Sequence, residues 1–303
     1  MKQNFGLMSR SETEQNGRKR VSIFLESVAG GLRPLLKNWS GMVGLSLTLA
    51  MIGIGVAAPV IAPRHYAQTD LPNRLEPPSL VNLFGTDELG RDVFSRVVYG
   101  AQIAIWIGLV VVGIEAAIGV SLGLIAGYYG KASDRFISAL SDVIWALPPI
   151  VLALAVVTII GPGLTQVVSA VAVVSWPPFS RVTRAKIQSL RNREFVVAAK
   201  SIGENDANMI LRYLLPNVVP SLVILSTLTL PSAILSTTAL SFLGFGAQPP
   251  SPDWGYMISK GMVYMVMAPW ITTFPGIFLV LLCLGLNLLG DGLRDVLDPR
   301  LKI

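Results

Sequence analysis

The chain has 303 residues, of which 52% are hydrophobic and only 14% charged, with a mean hydropathy of +0.61. A soluble domain of this size carries about a quarter charged residues, so the composition excludes an ordinary globular enzyme and points to a membrane protein. The net charge of +6 needs no nucleic acid to explain it, because the cations gather between particular apolar runs.

Residues 1–38 are polar with little periodicity and read as a cytoplasmic N-terminal tail with an interfacial helix near its end. The first apolar run, 42–62, is charge-free, and ~20 such residues cross the hydrocarbon core as a helix. It is longer than the apolar part of a secretory signal, so it reads as a retained anchor. Residues 39–102 are thus a first transmembrane helix and an external segment. Pro72, Pro77 and Pro78 disfavour helix there, whereas Asp92 can cap and begin one. Val93, Val97 and Val98 would share a face, predicting an interfacial helix that leads into the second span. The only histidine, His65, reads as a solvated loop residue.

The second run, 103–127, contains Glu115, and its Gly119, Gly123 and Gly127 recur one helical turn apart as a close-packing face. The third run, 136–160, holds Asp142 and is interrupted by Pro148 and Pro149. The fourth, 164–180, has Pro177 and Pro178 near its end. Broken helices are tolerated in a bilayer where neighbours or a water-filled path satisfy the freed carbonyls. An unpaired charge at Glu115 would cost ~3 kcal/mol or more, so it must be protonated, paired or wet. Two readings stand: a polar group facing a water-filled pathway, or a protonated side chain bonded to a neighbouring helix. Asp142 joins it as a pathway or buried polar candidate, although its place near the cytoplasmic end of its span favours a cap or a contact with basic residues.

The segment EFVVAAKSIGENDANMILRYLLP, 194–216, is polar and glycine-hinged between two membrane-length runs. Phe195, Ala198, Ala199 and Ile202 fall at i, i+3, i+4 and i+7, and Ala207, Ile210, Leu211 and Leu214 repeat the spacing. The pattern predicts two short amphipathic helices meeting at Gly203, which takes the positive φ that ends the first, while Asn205 caps the second. It reads as a docking surface.

The fifth run, 217–248, leads to a segment rich in methionine and aromatics, including Trp254, Met257, Met262 and Met265. Membrane-interface packing is the favoured reading, with an external gate or protein contact as the alternative. The last run, 261–290, contains the only cysteine, Cys283, so no disulfide framework or thiolate metal cage can be built. Six transmembrane helices are predicted. With the N-terminus inside, 19 Lys and Arg fall on the cytoplasmic side and five outside, so both termini, including the tail 294–303, are expected to be cytoplasmic.

The 194–216 segment resembles the EAA loop of ABC-transporter permeases, which inserts into an ATPase subunit. Ala198, Ala199, Gly203, Leu215 and Pro216 match in register, while Val197 stands where the family often has Glu and Tyr213 where it often has Ile. Asn205, Asp206, Ile210 and Leu211 complete the expected coupling element at about 190–216. Three further strings, GTDELGRDVFSR (85–96), ALSFLGFGAQPPSPDWG (239–255) and NLLGDGLRDVLDPR (287–300), look like signatures of the C-type permease subunit of dipeptide, oligopeptide, nickel and glutathione importers. The resemblance runs from about residue 35 to the end.

That resemblance implies an all-α polytopic protein with the type I ABC importer fold, its permease domain over 103–293. It implies a second homologous permease subunit, one or two cytoplasmic ATPase subunits, an external substrate-binding protein and a bacterial inner-membrane location. No Gly-x-x-x-x-Gly-Lys-Ser/Thr loop occurs, so no cofactor is expected on this chain, with ATP and Mg in the partner ATPases. The chain is therefore expected to be a non-catalytic subunit that forms the path for di- or oligopeptides, with nickel chelates or glutathione as alternative cargo. A secondary transporter is the rival class, but it would need paired ion sites in inverted repeats, and no such repeat is evident.

Overall fold

The computed structural model describes residues 38–297. The expected interfacial helix in the N-terminal tail, and residues 298–303 of the C-terminal tail, lie outside them. Helix α1 (Trp39–Ile61) begins where the Asn38 side chain accepts a hydrogen bond from the Ser40 amide. After it come a 3-10 turn at Leu71–Asn73 and an isolated bridge between Thr86 and Asp92.

Asp92 then caps α2 (Val93–Tyr129), accepting from the Ser95 amide and hydroxyl, each at 2.7 Å. The expected interfacial helix is not separate. It is the first three turns of one 37-residue helix, ~55 Å long and so well beyond the ~30 Å hydrocarbon core. Nothing in 93–103 breaks a helix, and Val93, Val97 and Val98 are buried in the protein core.

The third apolar run is not one straight span. It divides into α3 (Lys131–Trp145) and α4 (Pro149–Ile160), bent by 87°. Pro149 has no amide hydrogen and forces Pro148 into an extended conformation, which ends α3 and redirects the chain. The fourth run forms α5 (Leu164–Ser175) and continues past Trp176, itself helical in dihedrals, into α6 (Pro177–Leu190). Its helical path therefore extends ten residues beyond the apolar run.

Helix α7 (Glu194–Ser201) follows. The expected second amphipathic helix is no independent element. A single helical turn, α8 (Asp206–Asn208), widens into a π-helical stretch, Met209–Leu214, and runs directly into α9 (Leu215–Phe242). Pro216 lacks the amide that an α-helix would bond to the Arg212 carbonyl, and the preceding turn is the one that widens. Helix α10 (Trp254–Gly261), a 3-10 turn (Met262–Tyr264) and α11 (Trp270–Leu297) complete the described chain.

All regular structure among the described residues is helical. Among the described residues four helices are long and apolar enough to cross a membrane, and the α3–α4 pair raises this to five. The expected six are not reached by length and composition, because α5 and α6 have only 12 and 14 residues each.

The core forms three clusters along the bundle. At one end Met51, Val97, Trp254, Met257, Ile271 and Leu282 join α1, α2, α10 and α11. In the middle α2, α4, α5 and α9 meet around Val111, Val157, Val171 and Leu240. At the other end Leu124 and Ile187 pack with Val196, Ala199, Met209 and Leu214. The glycine face on α2 packs α6: a Cβ on Gly123 would lie 2.6 Å from both the Ser180 carbonyl oxygen and the Thr183 Cβ. Gly119 and Gly127 would meet Phe179 and Ile187 in the same way.

Candidate functional site

The hinge of the 194–216 segment is a Schellman turn. Glu204 donates its amide to the Ala199 carbonyl at 3.2 Å and Gly203 donates to Lys200 at 3.0 Å, with Gly203 at φ +82°. Two residues on, the Asn205 side chain accepts from the Asn208 amide at 2.8 Å and starts the next helix. The chain reverses sharply here because glycine tolerates the left-handed region without a Cβ penalty.

The predicted apolar stripes do not each face one way. Val196, Ala199, Met209 and Leu214 turn inward onto Leu124 and Ile187. Ala198, Ala207, Ile202 (79% exposed), Leu211 (59%) and Phe195 (40%) point away from the bundle. The correction has a simple cause. A two-helix hairpin on the rim of a bundle has an inner and an outer side, and i, i+3, i+4 spacing defines a stripe wide enough to straddle both. Ile210 and Leu215 lie half-buried between the two sides, and Pro216 is exposed. Asp206 accepts a 2.6 Å hydrogen bond from the Tyr128 hydroxyl at the end of α2, and Lys200 lies 5.3 Å above the Tyr128 ring. Tyr128 escaped the sequence reading; its signal was two tyrosines closing an otherwise apolar helix.

Higher in the bundle, Glu115 is 3% exposed and lines a cavity of about 500 Å³. Trp145, Pro149 and Pro178, from the two proline breaks, form part of its wall, and Ser175, Thr229, Ser232 and Ser236 supply hydroxyls. Among the described residues, none hydrogen-bonds or ion-pairs with the Glu115 carboxylate. Thr229, Ser232 and Ser236 recur three and four residues apart on α9, a polar stripe in a charge-free run that could have been read from the sequence. Asp142 is not with Glu115 and is not a buried polar group. Its side chain is 71% exposed and makes the favoured contact with a basic residue, pairing with Arg181 at 2.9 Å, because the 87° bend carries α3 away from the middle of the bundle. Arg181 in turn lies 4.9 Å over the Trp145 ring.

At the opposite end the four gate candidates separate. Trp254 and Met257 are core residues, 2% and 3% exposed, and the Trp254 indole donates to the Val97 carbonyl at 3.0 Å. Neither is available for an external contact. Met262 and Met265 are exposed, beside Val263 and Val266. The reason is periodic: α10 buries the face that carries Trp254 and Met257, and the chain leaves the bundle at the 3-10 turn after it.

A buried polar network underlies the first and second signature strings. Arg96, 1% exposed, donates to the carbonyls of Tyr66 at 3.0 Å, Pro250 at 3.2 Å and Ser251 at 3.4 Å, and lies 3.6 Å from Asp87. Asp87 also accepts from the Arg91 side chain at 2.6 Å and from the Leu89 and Arg91 amides. Asp253 caps α10 and accepts from the Ser241 hydroxyl; burial pushes its carboxyl above the usual carboxylate range. These groups join the loop after α1, the start of α2 and the turn before α10, so the strings describe a structural clamp. Among the described residues no group of three or more His, Cys, Asp or Glu could hold a metal ion.

Residues 119–303 match the family described as binding-protein-dependent transport system inner membrane component, and residues 30–78 match the N-terminal transmembrane domain of oligopeptide transport permease C. The chain is 44% identical over 270 residues to the dipeptide transport system permease protein DppC of Alkalihalophilus pseudofirmus, covering 89% of each chain. It is also 44% identical over 273 residues to the glutathione transport system permease protein GsiD of Escherichia coli, again covering 89% of each. Among solved structures, a chain of the inward-facing MetNI methionine ABC transporter matches 66% of this chain and 96% of its own length, with a TM-score of 0.52 at 19% identity, a likeness of fold.

Proposed function

The chain belongs to the binding-protein-dependent transport system inner membrane components, and from that membership we propose that it forms half of the translocation path of an ATP-driven importer of short peptides. As a permease subunit it is a non-catalytic, multi-pass component of the inner membrane, working with an ATPase and a substrate-binding protein. Family membership leaves the secondary-transporter reading without support. The dipeptide permease among its relatives favours a di- or oligopeptide cargo, with glutathione, the cargo named for another relative, or nickel chelates the alternatives within the same class.

The observation that carries the coupling mechanism is the two-sided hairpin at Gly203. Its inner side is fixed to α2 and α6 through Val196, Ala199, Met209 and Leu214, and its outer side presents Phe195, Ala198, Ile202 and Leu211 without a partner. Exposed apolar groups on a rigidly anchored hinge suit insertion into a groove of an ATPase subunit, which holds the ATP and Mg. A displacement of that subunit would pass along α2 and α6, which the glycine face locks together. A second, homologous permease pairs with this one, and the ATPase subunits are one or two in kind.

In this reading α5 and α6 together make the sixth crossing, and the hairpin and both termini are cytoplasmic. The supports are the helical path that continues through Trp176 over 164–190 and the 19-to-5 division of cations. Met262 and Met265, exposed at the far end, are the remaining candidates for contact with the binding protein. The test is reconstitution with the neighbouring permease, ATPase and binding-protein subunits in proteoliposomes. ATP-dependent uptake of dialanine is expected. Uptake of a nickel chelate alone, or transport by this chain alone on an ion gradient, would overturn the assignment.

A further inference from the structure

Glu115 is a carboxylate with no partner among the described residues, set in the wall of a cavity whose size falls within the ~300–1,000 Å³ of ordinary ligand sites. Its companions there are hydroxyls. Thr229 spends its proton on the Leu225 and Ser226 carbonyls, so toward the cavity it offers lone pairs. The Ser175, Ser232 and Ser236 hydroxyls make no hydrogen bonds with other described residues, and each can accept as well as donate. Among the described residues, no cation lines the cavity. A carboxyl group that a bound cation would hold ionised, with several acceptors beside it, is the complement of a group that carries one positive charge and several donors.

We propose that this cavity is a subsite for the free α-ammonium end of a peptide in transit, with Glu115 as its counter-charge and the Ser232 and Ser236 hydroxyls as further acceptors. An ammonium has three N–H donors, and the apolar wall of Trp145, Pro149 and Ile150 suits the adjoining side chains. The inference rests on the peptide-importer reading and narrows it. Glutathione also carries a free α-ammonium, but its two carboxylates leave it net negative and weaken its attraction to Glu115 relative to a neutral or cationic dipeptide.

The test uses the assembled transporter in a Cys283→Ser background with Ser232→Cys. The introduced thiol is reacted with a cationic reagent, 2-aminoethyl methanethiosulfonate, and an anionic one, 2-sulfonatoethyl methanethiosulfonate. Relative to a simple thiol in solution, the cation-to-anion rate ratio should be raised roughly tenfold by the nearby carboxylate and fall back in Glu115→Gln. Dialaninamide, which keeps the ammonium, should slow the cationic reagent, whereas N-acetyl-dialaninamide and sodium chloride at equal ionic strength should not. Four results would overturn the proposal: a ratio indifferent to Glu115→Gln, equal protection by the acetylated compound, equal protection by sodium, or no reaction at Ser232→Cys and at a second variant, Ser236→Cys. The peptide reading is judged separately by dialanine uptake. A transporter that imports dialanine but shows no charge preference refutes only the subsite, whereas a charge-selective cavity without peptide uptake refutes the cargo.

Discussion

The Tyr128 hydroxyl donates a 2.6 Å hydrogen bond to Asp206 across 78 residues of sequence, tying the last turn of α2 to the first turn after the Gly203 hinge. The same α2 carries Glu115 and the glycine face, so one rigid rod connects the hinge to the cavity. The hinge itself needs little from its surroundings: a Cβ on Gly203 would meet nothing within 4 Å.

Substitution at Gly203 therefore separates folding from coupling. Gly203→Ala should cost ~1 kcal/mol, from the positive φ alone. Gly203→Asp should leave the permease in the membrane at near-normal yield and abolish uptake, because the added charge meets a partner and not this chain. Co-purified ATPase and ligand-stimulated hydrolysis are the readouts. Wild-type values for both in Gly203→Asp would remove the segment from the coupling path.

The two sides of the hairpin should respond differently. Ile202→Glu adds a charge at a position 79% exposed and should change thermal stability in detergent by ~0.5 kcal/mol or less, while weakening ATPase association. Val196→Glu puts a charge where the native side chain is fully buried, and should lower the melting temperature of the permease even without partners. Equal effects of the two on stability would contradict the inward and outward assignment.

Arg96→Ala should destabilise the protein by ~3–5 kcal/mol, since it leaves buried Asp87 and the Tyr66, Pro250 and Ser251 carbonyls short of their donor. Arg96→Lys should recover part of this, because an ammonium keeps the charge but not the planar fork that spans these acceptors. Thermal unfolding in detergent measures both, and a stable, active Arg96→Ala protein would show that the clamp is dispensable.

Gly123→Leu should separate α2 from α6. Even a methyl group there would sit 2.6 Å from Ser180 and Thr183, and overpacking of this kind costs ~1–3 kcal/mol. Loss of assembly or a lowered melting temperature is expected. Gly113→Leu is the control, because a Cβ at Gly113 meets nothing within 4 Å.

Orientation is tested with single cysteines in the Cys283→Ser background. Ser201→Cys should react with an impermeant maleimide only from the side that carries the ATPase, and Val263→Cys, at a position 79% exposed, only from the other. Labelling of Ser201→Cys from the binding-protein side would reverse the topology.

Much of the protein was legible without coordinates because its signals are local. Charge-free runs identify helices by the cost of burying charge in hydrocarbon, prolines 148 and 149 mark a break, and Gly203 followed by Asn205 spells a helix stop and a new start. The quoted strings carried the family resemblance. What periodicity could not supply was direction. A stripe at i, i+3 and i+4 records that Phe195, Ala199 and Ile202 lie near one face, but only packing against Leu124 and Ile187 decides that Ala199 turns in and Ile202 turns out. Trp254 looked like an interface aromatic until the bundle buried it on Val97, whereas the contact with basic residues favoured for Asp142 found its particular partner, Arg181, only through the bend at Pro149. The hydroxyls around Glu115 come from α5 and α9, more than 50 residues further along the chain, and a cavity between helices exists only once the helices are packed.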